Sequence, residues 1–292
     1  MVREIYKARY MYLMIAPALV VLAVLFYTPI VRGFVMSLQE FRIRGGGDFV
    51  GLVNYTLVVK DPDFWRVLRN TLIIGGGSLV TSFVLQVTIA LLLNEVIRPF
   101  FRRSVQTIIY LPHLFSWVVV GGIWISLLAP NSGLVNGILG WFGLPPVYFM
   151  VREVLAQPIF IVTNVWKSLG YGCIIFLAAI TKINPVLYEA AAIDGANRWQ
   201  LVRHITMPGL YSTMLVVFLL NLLGVLRIFD QSYVMTNPAI INSTDVVMTY
   251  TYRLGILQFR MDYAAAVAYV VLAMTLVLSF FYFNATRAAV LE

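Results

Sequence analysis

Polar side chains set inside long apolar runs are the residues of this chain that could do chemistry. The run from about Pro158 to Thr181 carries Asn164, Lys167 and Tyr171, spaced by three and four, which puts them on one stripe of a helix. The run from about Tyr211 to Met235 carries Asn221, Arg227, Asp230 and Gln231. Arg227 and Asp230 are three apart and are expected to share a helical face and pair. A charge placed in a bilayer core costs ~2.5–3.5 kcal/mol on insertion scales, so such groups face a cavity or a partner. The chemistry on offer is recognition. Amide, ammonium and phenol groups beside an aromatic face suit a ligand with hydroxyls and flat C–H faces, as a sugar has. Three readings stay open for the stripe: it lines a solute path, it packs against a second membrane subunit, or an ion pair fixes helix register.

Bond-making chemistry has no comparable support. There is no GxxxxGK[ST] phosphate loop, and no Gly-x-Ser-x-Gly or Cys-His arrangement. Gly75-Gly76-Gly77-Ser78 lacks the Lys-Ser/Thr of a phosphate cradle and reads as a close-packing surface for a neighbouring helix. His113 and His204 are far apart without ligand-like companions, so no metal site is expected. The lone cysteine, Cys173, excludes an intrachain disulfide. No catalytic residue is expected, and the chain reads as a non-enzyme.

The elements that must position these residues follow from composition. The 292 residues are 61% hydrophobic and 12% charged, with a mean hydropathy of +0.86. Several runs exceed the ~18 apolar residues that mark a membrane-spanning helix. Backbone groups in lipid must satisfy one another locally, so the runs are helices and the class is an all-α membrane protein. Six spans are expected: about Leu13–Val35 (bent by Pro17 and Pro29), Thr71–Val96, Ser104–Leu128 (interrupted at Pro112-His113), Pro158–Thr181, Tyr211–Met235 and Tyr263–Thr286. The domain is 13–286, with tails at 1–12 and 287–292. The segment around Phe64, Trp65, Val67 and Leu68 is expected to form a separate amphipathic helix at the interface.

The net charge of +8 could suggest nucleic acid, but the basic residues flank apolar runs and fit membrane orientation better. With both termini cytoplasmic, the inner segments hold ten Lys and Arg and the outer segments eight, the latter including Arg42 and Arg44. The compact cluster Arg98, Arg102 and Arg103 favours this orientation.

One loop stands apart, Lys182–Leu210 (182–210). Its centre is rich in small residues, and Glu189, Asp194, Arg198, Arg203 and His204 place it outside the bilayer core. Asn184-Pro185 starts a helix, Gly195 can end it in a left-handed conformation, and Asn197 with Gln200 has the spacing of a capping box for a second helix. Pro208 is expected to set a corner into the next span.

Glu189-Ala190-Ala191, then Asp194-Gly195-Ala196, then Ile205 and Met207-Pro208, resembles the EAA loop of ABC-importer permeases; Met207 replaces the usual Leu. Gly51-Leu52, Asn54-Tyr55, Asp61-Pro62 and Phe64-Trp65 also resemble the region after the first span in sugar-importer permeases. FDQSYVMTNP, TYTYRLG and DYAAA look most like permeases for oligosaccharides. The resemblance implies the type I ABC importer permease fold, with six transmembrane helices and a cytoplasmic coupling helix. Glu189, Ala190, Ala191, Asp194 and Gly195 would then couple to an ATPase. No cofactor is implied for this chain, ATP and Mg being bound by the ATPase. The implied partners are a second related permease, two ATP-binding subunits, an extracytoplasmic sugar-binding protein and membrane lipid, without nucleic acid. The implied location is a bacterial or archaeal cytoplasmic membrane, crossed several times. In maltose-type permeases the sugar contacts come from the spans before and after the loop, and Asn164 and Tyr171 fall at matching depth. Alternatives are an ABC permease for polyamine, phosphate or amino acid, a stand-alone secondary transporter, and a membrane scaffold.

Overall fold

In the computed structural model, residues 9–42 and 47–291 are described, with side chains for 10–42 and 47–286. Most of the tail at 1–12, the side chains of the tail at 287–292 and Arg44 lie outside the described residues. Five helices are long and apolar enough to cross a membrane: Tyr10–Ser37, Pro62–Asn94, Glu153–Ile180, Arg198–Val225 and Met261–Thr286. A bent pair, Pro99–Leu114 and Trp117–Leu127, meeting at 103°, together has the length and composition of a sixth span. Among the described residues no extended strand forms; one bridge pairs Gln39 with Phe49.

The first span is α1 (Arg9–Leu22), which runs through a π turn, Ala23–Tyr27, into α2 (Thr28–Ser37). Pro29 follows that wide turn. A proline lacks the N–H for a helical bond and its ring crowds the carbonyl four residues back; a π turn absorbs both defects. After α3 (Val53–Lys60) comes α4 (Pro62–Asn94), 33 residues without interruption. The separate interfacial helix expected around Phe64–Leu68 is absent: these residues are the first turns of α4, and Phe64, Val67 and Leu68 are buried. Polar Asn70 and Thr71 do not end the helix because a later segment satisfies them. Asn70 Nδ2 donates to the carbonyls of Asn242 (2.8 Å) and Asp245 (3.0 Å), and the Val247 N–H donates to Thr71 Oγ1 (2.9 Å).

Next are α5 (Pro99–Leu114), α6 (Trp117–Leu127), α7 (Leu134–Trp141) and α8 (Glu153–Ile180). The break of the third span falls after Leu114, just beyond the expected Pro112-His113, because Ser116 caps α6 by accepting from the Val119 N–H. Two of the three glycines of α4, Gly75 and Gly77, pack closely against neighbouring segments, while Gly76 faces open space. A Cβ on Gly77 would lie 2.6 Å from Ile161 Cδ1 of α8, and one on Gly75 would lie 2.8 Å from the Val225 carbonyl oxygen.

Helices α9 (Pro185–Ile193) and α10 (Arg198–Leu201) form the polar loop. A π turn, Val202–Thr206, joins α10 to α11 (Met207–Val225) in one continuous run. The corner expected at Pro208 therefore does not exist. The residues flanking the π turn keep right-handed helical geometry, and the wide turn does for Pro208 what Ala23–Tyr27 does for Pro29. The fifth span also ends earlier than expected. Arg227 lies in a turn beyond α11, and α12 (Asp230–Met235) starts at Asp230. Arg227 and Asp230 thus do not share a helical face, and no ion pair joins them. Short helices α13 (Ile241–Thr244) and α14 (Val247–Tyr252), then a π turn at Arg253–Leu257, precede α15 (Met261–Leu291).

The chain divides into two compact units. One joins the residues up to Asp61 with Thr251–Leu272; in it Tyr263 Oη donates to Asp61 (2.6 Å), and Asn54 Nδ2 bridges the Ser37 and Gln39 carbonyls (3.0 Å each). The other joins Pro62–Tyr250 with the residues from Ala273 on. Among the described residues its core holds two buried clusters. One gathers Val87, Ala90, Cys173, Phe176, Leu210 and Val217; the other gathers Ile74, Ala156, Phe160, Met235 and Ile240.

Candidate functional site

The polar loop is held by local caps. Asn184 Oδ1 accepts from the Val186 N–H (3.0 Å) with Pro185 at the first helical position of α9. At the other end the Gly195 N–H donates to the Ala192 carbonyl (3.1 Å) and the Ala196 N–H to the Ala191 carbonyl (2.9 Å), with Gly195 at φ +78°. This is a Schellman termination, and its left-handed residue is why glycine stands there. Asn197 and Gln200 form the reciprocal capping box, with bonds of 2.9 and 2.7 Å.

Contacts tie the loop to the spans. Tyr188 of α9 shares a hydrogen bond with Thr206 of the π turn (2.9 Å), and a Cβ on Gly209 would lie 2.8 Å from Ile183 Cδ1. Arg198 pairs with Glu95 just past the end of α4. Both partners of that pair are substantially solvent-exposed, so it contributes little stability and serves mainly to set register. The outward face stays bare. Glu189, Ala190, Asp194 and Gly195 are exposed, Ala191 is half-buried, and Ile193 and Trp199 are 87% and 69% exposed. Short side chains flanked by large exposed apolar ones suit burial in another protein's groove.

A second feature lies between the spans. A cavity of about 220 Å³ is lined by Gly75, Ser78 and Ser82 of α4, Asn164 and Ser168 of α8, and Asn221 and Gly224 of α11, among others. It contains Asn164 and Asn221 of the expected path residues. Its lining is neutral and mixed, with serine and asparagine side chains set among Leu79, Leu220, Val225 and Ile228 and no charged side chain. Ser78 reads from sequence as part of a packing surface and Ser82 and Ser168 do not stand out, though Gly75, Ser78 and Ser82 repeat at three and four, a small-and-polar stripe that could have flagged two of them.

Lys167 and Tyr171 sit elsewhere on α8. Lys167 Nζ donates to the carbonyls of Pro112 (3.4 Å), His113 (3.1 Å) and Phe115, the last turn of α5 and the residue after it. A cation at a helix C-terminus meets its unpaired carbonyls and the negative end of its dipole. Tyr171 stacks on His113 with ring centroids 4.7 Å apart and planes 16° from parallel. Together they clamp the broken span. Replacing Lys167 by Met is expected to cost about 1.5–3 kcal/mol, the value of hydrogen bonds involving a charged group. The readout is the thermal midpoint of the purified protein, and an unchanged midpoint would contradict this role. Arg227 and Asp230 are exposed and outside the cavity lining.

A larger cavity, about 540 Å³, lies between α4 and the α10–α11 run and is lined mainly by apolar side chains such as Val87, Leu91, Trp199, Met207 and Met214. It offers a sugar almost no hydrogen bonds. Among the described residues no group of His, Cys, Asp and Glu could hold a metal ion.

Known proteins share this architecture. The chain is 34% identical over 279 residues to the polygalacturonan/rhamnogalacturonan transport system permease protein YteP of Bacillus subtilis (strain 168), covering 94% of this chain and 87% of that protein. It is 33% identical over 294 residues to the lactose transport system permease protein LacF of Rhizobium radiobacter, covering 94% and 93%. A chain of a bacterial alginate ABC transporter, solved in complex with alginate pentasaccharide-bound periplasmic protein, superposes with a TM-score of 0.92 at 34% identity, covering 99% of this chain and 97% of that one. Residues 82–289, which include the capped loop and the polar cavity's α8 and α11 walls, match the model of one family. The chain therefore belongs to the binding-protein-dependent transport system inner membrane components.

Proposed function

We propose that this chain is one permease subunit of an ATP-driven importer of oligosaccharides. The observation that carries the reading is its likeness, over nearly its whole length, to a chain of an alginate transporter solved with a sugar-loaded periplasmic protein. The neutral hydrogen-bonding cavity between α4, α8 and α11 supports it. At about 220 Å³ that cavity is below the ~300–1,000 Å³ usual for a ligand pocket, as fits one wall of a path completed by a second, related permease.

Two ATP-binding subunits would seat α9 of each permease, and they would hold the ATP and Mg. Closing of the ATP-bound pair pushes the two α9 helices together, and the permeases open outward to take sugar from an extracytoplasmic binding protein. Hydrolysis returns them inward. The α9 loop is then cytoplasmic, and so are both termini, in keeping with the Arg98, Arg102 and Arg103 cluster. Asn164 and Asn221 would meet the sugar, whereas Lys167 and Tyr171 act through the broken span.

Proteoliposomes test the reading with galacturonan and arabinan oligosaccharides as probes. Uptake is expected only when this chain, its related permease, the ATP-binding subunits, the binding protein and ATP are all present. Uptake by this chain alone on a proton or sodium gradient would overturn it. So would ATP-driven uptake of phosphate, polyamine or amino acid with none of sugar.

A further inference from the structure

The amide of Asn164 is held in one orientation by a buried chain of hydrogen bonds that begins at a group of fixed polarity. The Phe160 carbonyl can only accept. Gln231, 1% exposed, points an amide end at it from 2.6 Å, so that end is Nε2; the same nitrogen donates to Thr163 Oγ1 at 2.7 Å. Gln231 Oε1 is left facing Asn164 at 3.2 Å, so the facing atom of Asn164 is its Nδ2. Each amide fixes the next. Asn164 Oδ1 accepts no hydrogen bond from the described residues and is the atom left for the cavity that Asn164 lines. Asn221 ends the same way by another route: its Nδ2 donates to the Val217 carbonyl (3.0 Å), which leaves its Oδ1 without a partner among the described residues. Ser78 of α4, 5% exposed, lines the same cavity and has a buried hydroxyl with no partner among the described residues.

We propose that Gln231 is a positioning residue that turns Asn164 so that, with Asn221, the cavity presents carbonyl oxygens and reads the hydroxyl donors of its cargo. The inference rests on the oligosaccharide-import reading and narrows it. Two amide oxygens with no cation beside them take sugar hydroxyls and turn away carboxylates, while the serine hydroxyls of the same lining can give or accept, so an acidic group of the cargo faces away from Asn164 and Asn221. Gln231 does not touch cargo; it acts through Asn164.

The test is a double-mutant cycle in proteoliposomes holding the complete transporter, with the transported probe sugar and uptake per ATP hydrolysed as the readout. Asn164→Leu and Gln231→Met are each expected to lower uptake about tenfold, and the double variant no further, because coupled residues are non-additive. A merely structural Gln231 would add its own loss to that of Asn164→Leu, and that result would overturn the proposal. Asn164→Asp guards against a Gln231 variant that fails to fold. It keeps an acceptor for the cargo but turns an oxygen toward Gln231 Oε1, so it should fall as far as Asn164→Leu. Wild-type uptake by Asn164→Asp would overturn the proposal. So would wild-type uptake by Asn164→Leu. Failure of the broader reading looks different: the unmutated complex would not import the sugar at all.

Discussion

Gly195→Val is expected to abolish most transport while leaving membrane insertion intact. Gly195 sits at φ +78°, and a Cβ added there would meet nothing within 4 Å, so the defect is purely conformational. The left-handed region costs an ordinary L-residue about 1–2 kcal/mol, and a β-branched one is a marked outlier there. The strain is relieved by giving up the bonds from Gly195 to Ala192 and from Ala196 to Ala191, which turn the chain from α9 into α10. The face Glu189–Gly195 then no longer meets a partner's groove in register, and a displacement near 1 Å at a fitted site can cost about a hundredfold. Gly195→Asn is the control, since asparagine tolerates this conformation and should keep transport within about twofold. ATP-dependent uptake into vesicles measures both. Wild-type uptake by Gly195→Val would show that the turn does not set the loop's fit.

Gly170→Ala has the largest expected effect on stability. A Cβ there would lie 2.5 Å from Tyr110 Cα and closer still to the Ile109 carbonyl, all backbone of α5. Backbone cannot swing aside as a side-chain tip can, so α5 and α8 must separate. Overpacking of this kind costs about 1–3 kcal/mol or more. The separation would also strain the bonds of Lys167, less than a turn away, to the end of α5. Gly76→Ala is the contrast: nothing lies within 4 Å, and alanine in a helix is favoured over glycine by about 0.5–1 kcal/mol. Thermal unfolding of the purified protein should move down for Gly170→Ala and level or up for Gly76→Ala. Equal midpoints would contradict the packing described for α5 and α8.

Local signals in the sequence were sound guides to this molecule. Asn184, Gly195 and the Asn197–Gln200 pair could be read because a cap is decided within a few residues of chain. The spans could be read because lipid demands long apolar runs. The failures came where a longer-range bond or a helical defect decided the outcome. Pro208 looks like a corner until a π turn is allowed for, and nothing in Val202–Thr206 announces one. Phe64–Leu68 looks like a surface helix because its apolar residues stand among charged ones, yet it runs on into α4 through Asn70 and Thr71, which are bonded to the segment 242–247 more than 170 residues away. The Asn164, Lys167, Tyr171 stripe was legible as a stripe, but its members split between the cavity and the end of α5 according to what packs beside each. Gln231 was visible as a polar residue in an apolar run. Its task was not, because that depends on the Phe160 carbonyl across a helix–helix contact.

If α9 seats an ATP-hydrolysing partner, site-directed crosslinking from α9 will reach it. Ala192 is exposed on α9, and the native Cys173 is buried and would be replaced by alanine to leave one reactive thiol. In the assembled complex, Ala192→Cys is predicted to crosslink to the ATP-binding subunit, to stop uptake when crosslinked and to recover it on reduction. A thiol at 192 that reaches no ATP-binding subunit, in a complex that still imports sugar, would contradict the account.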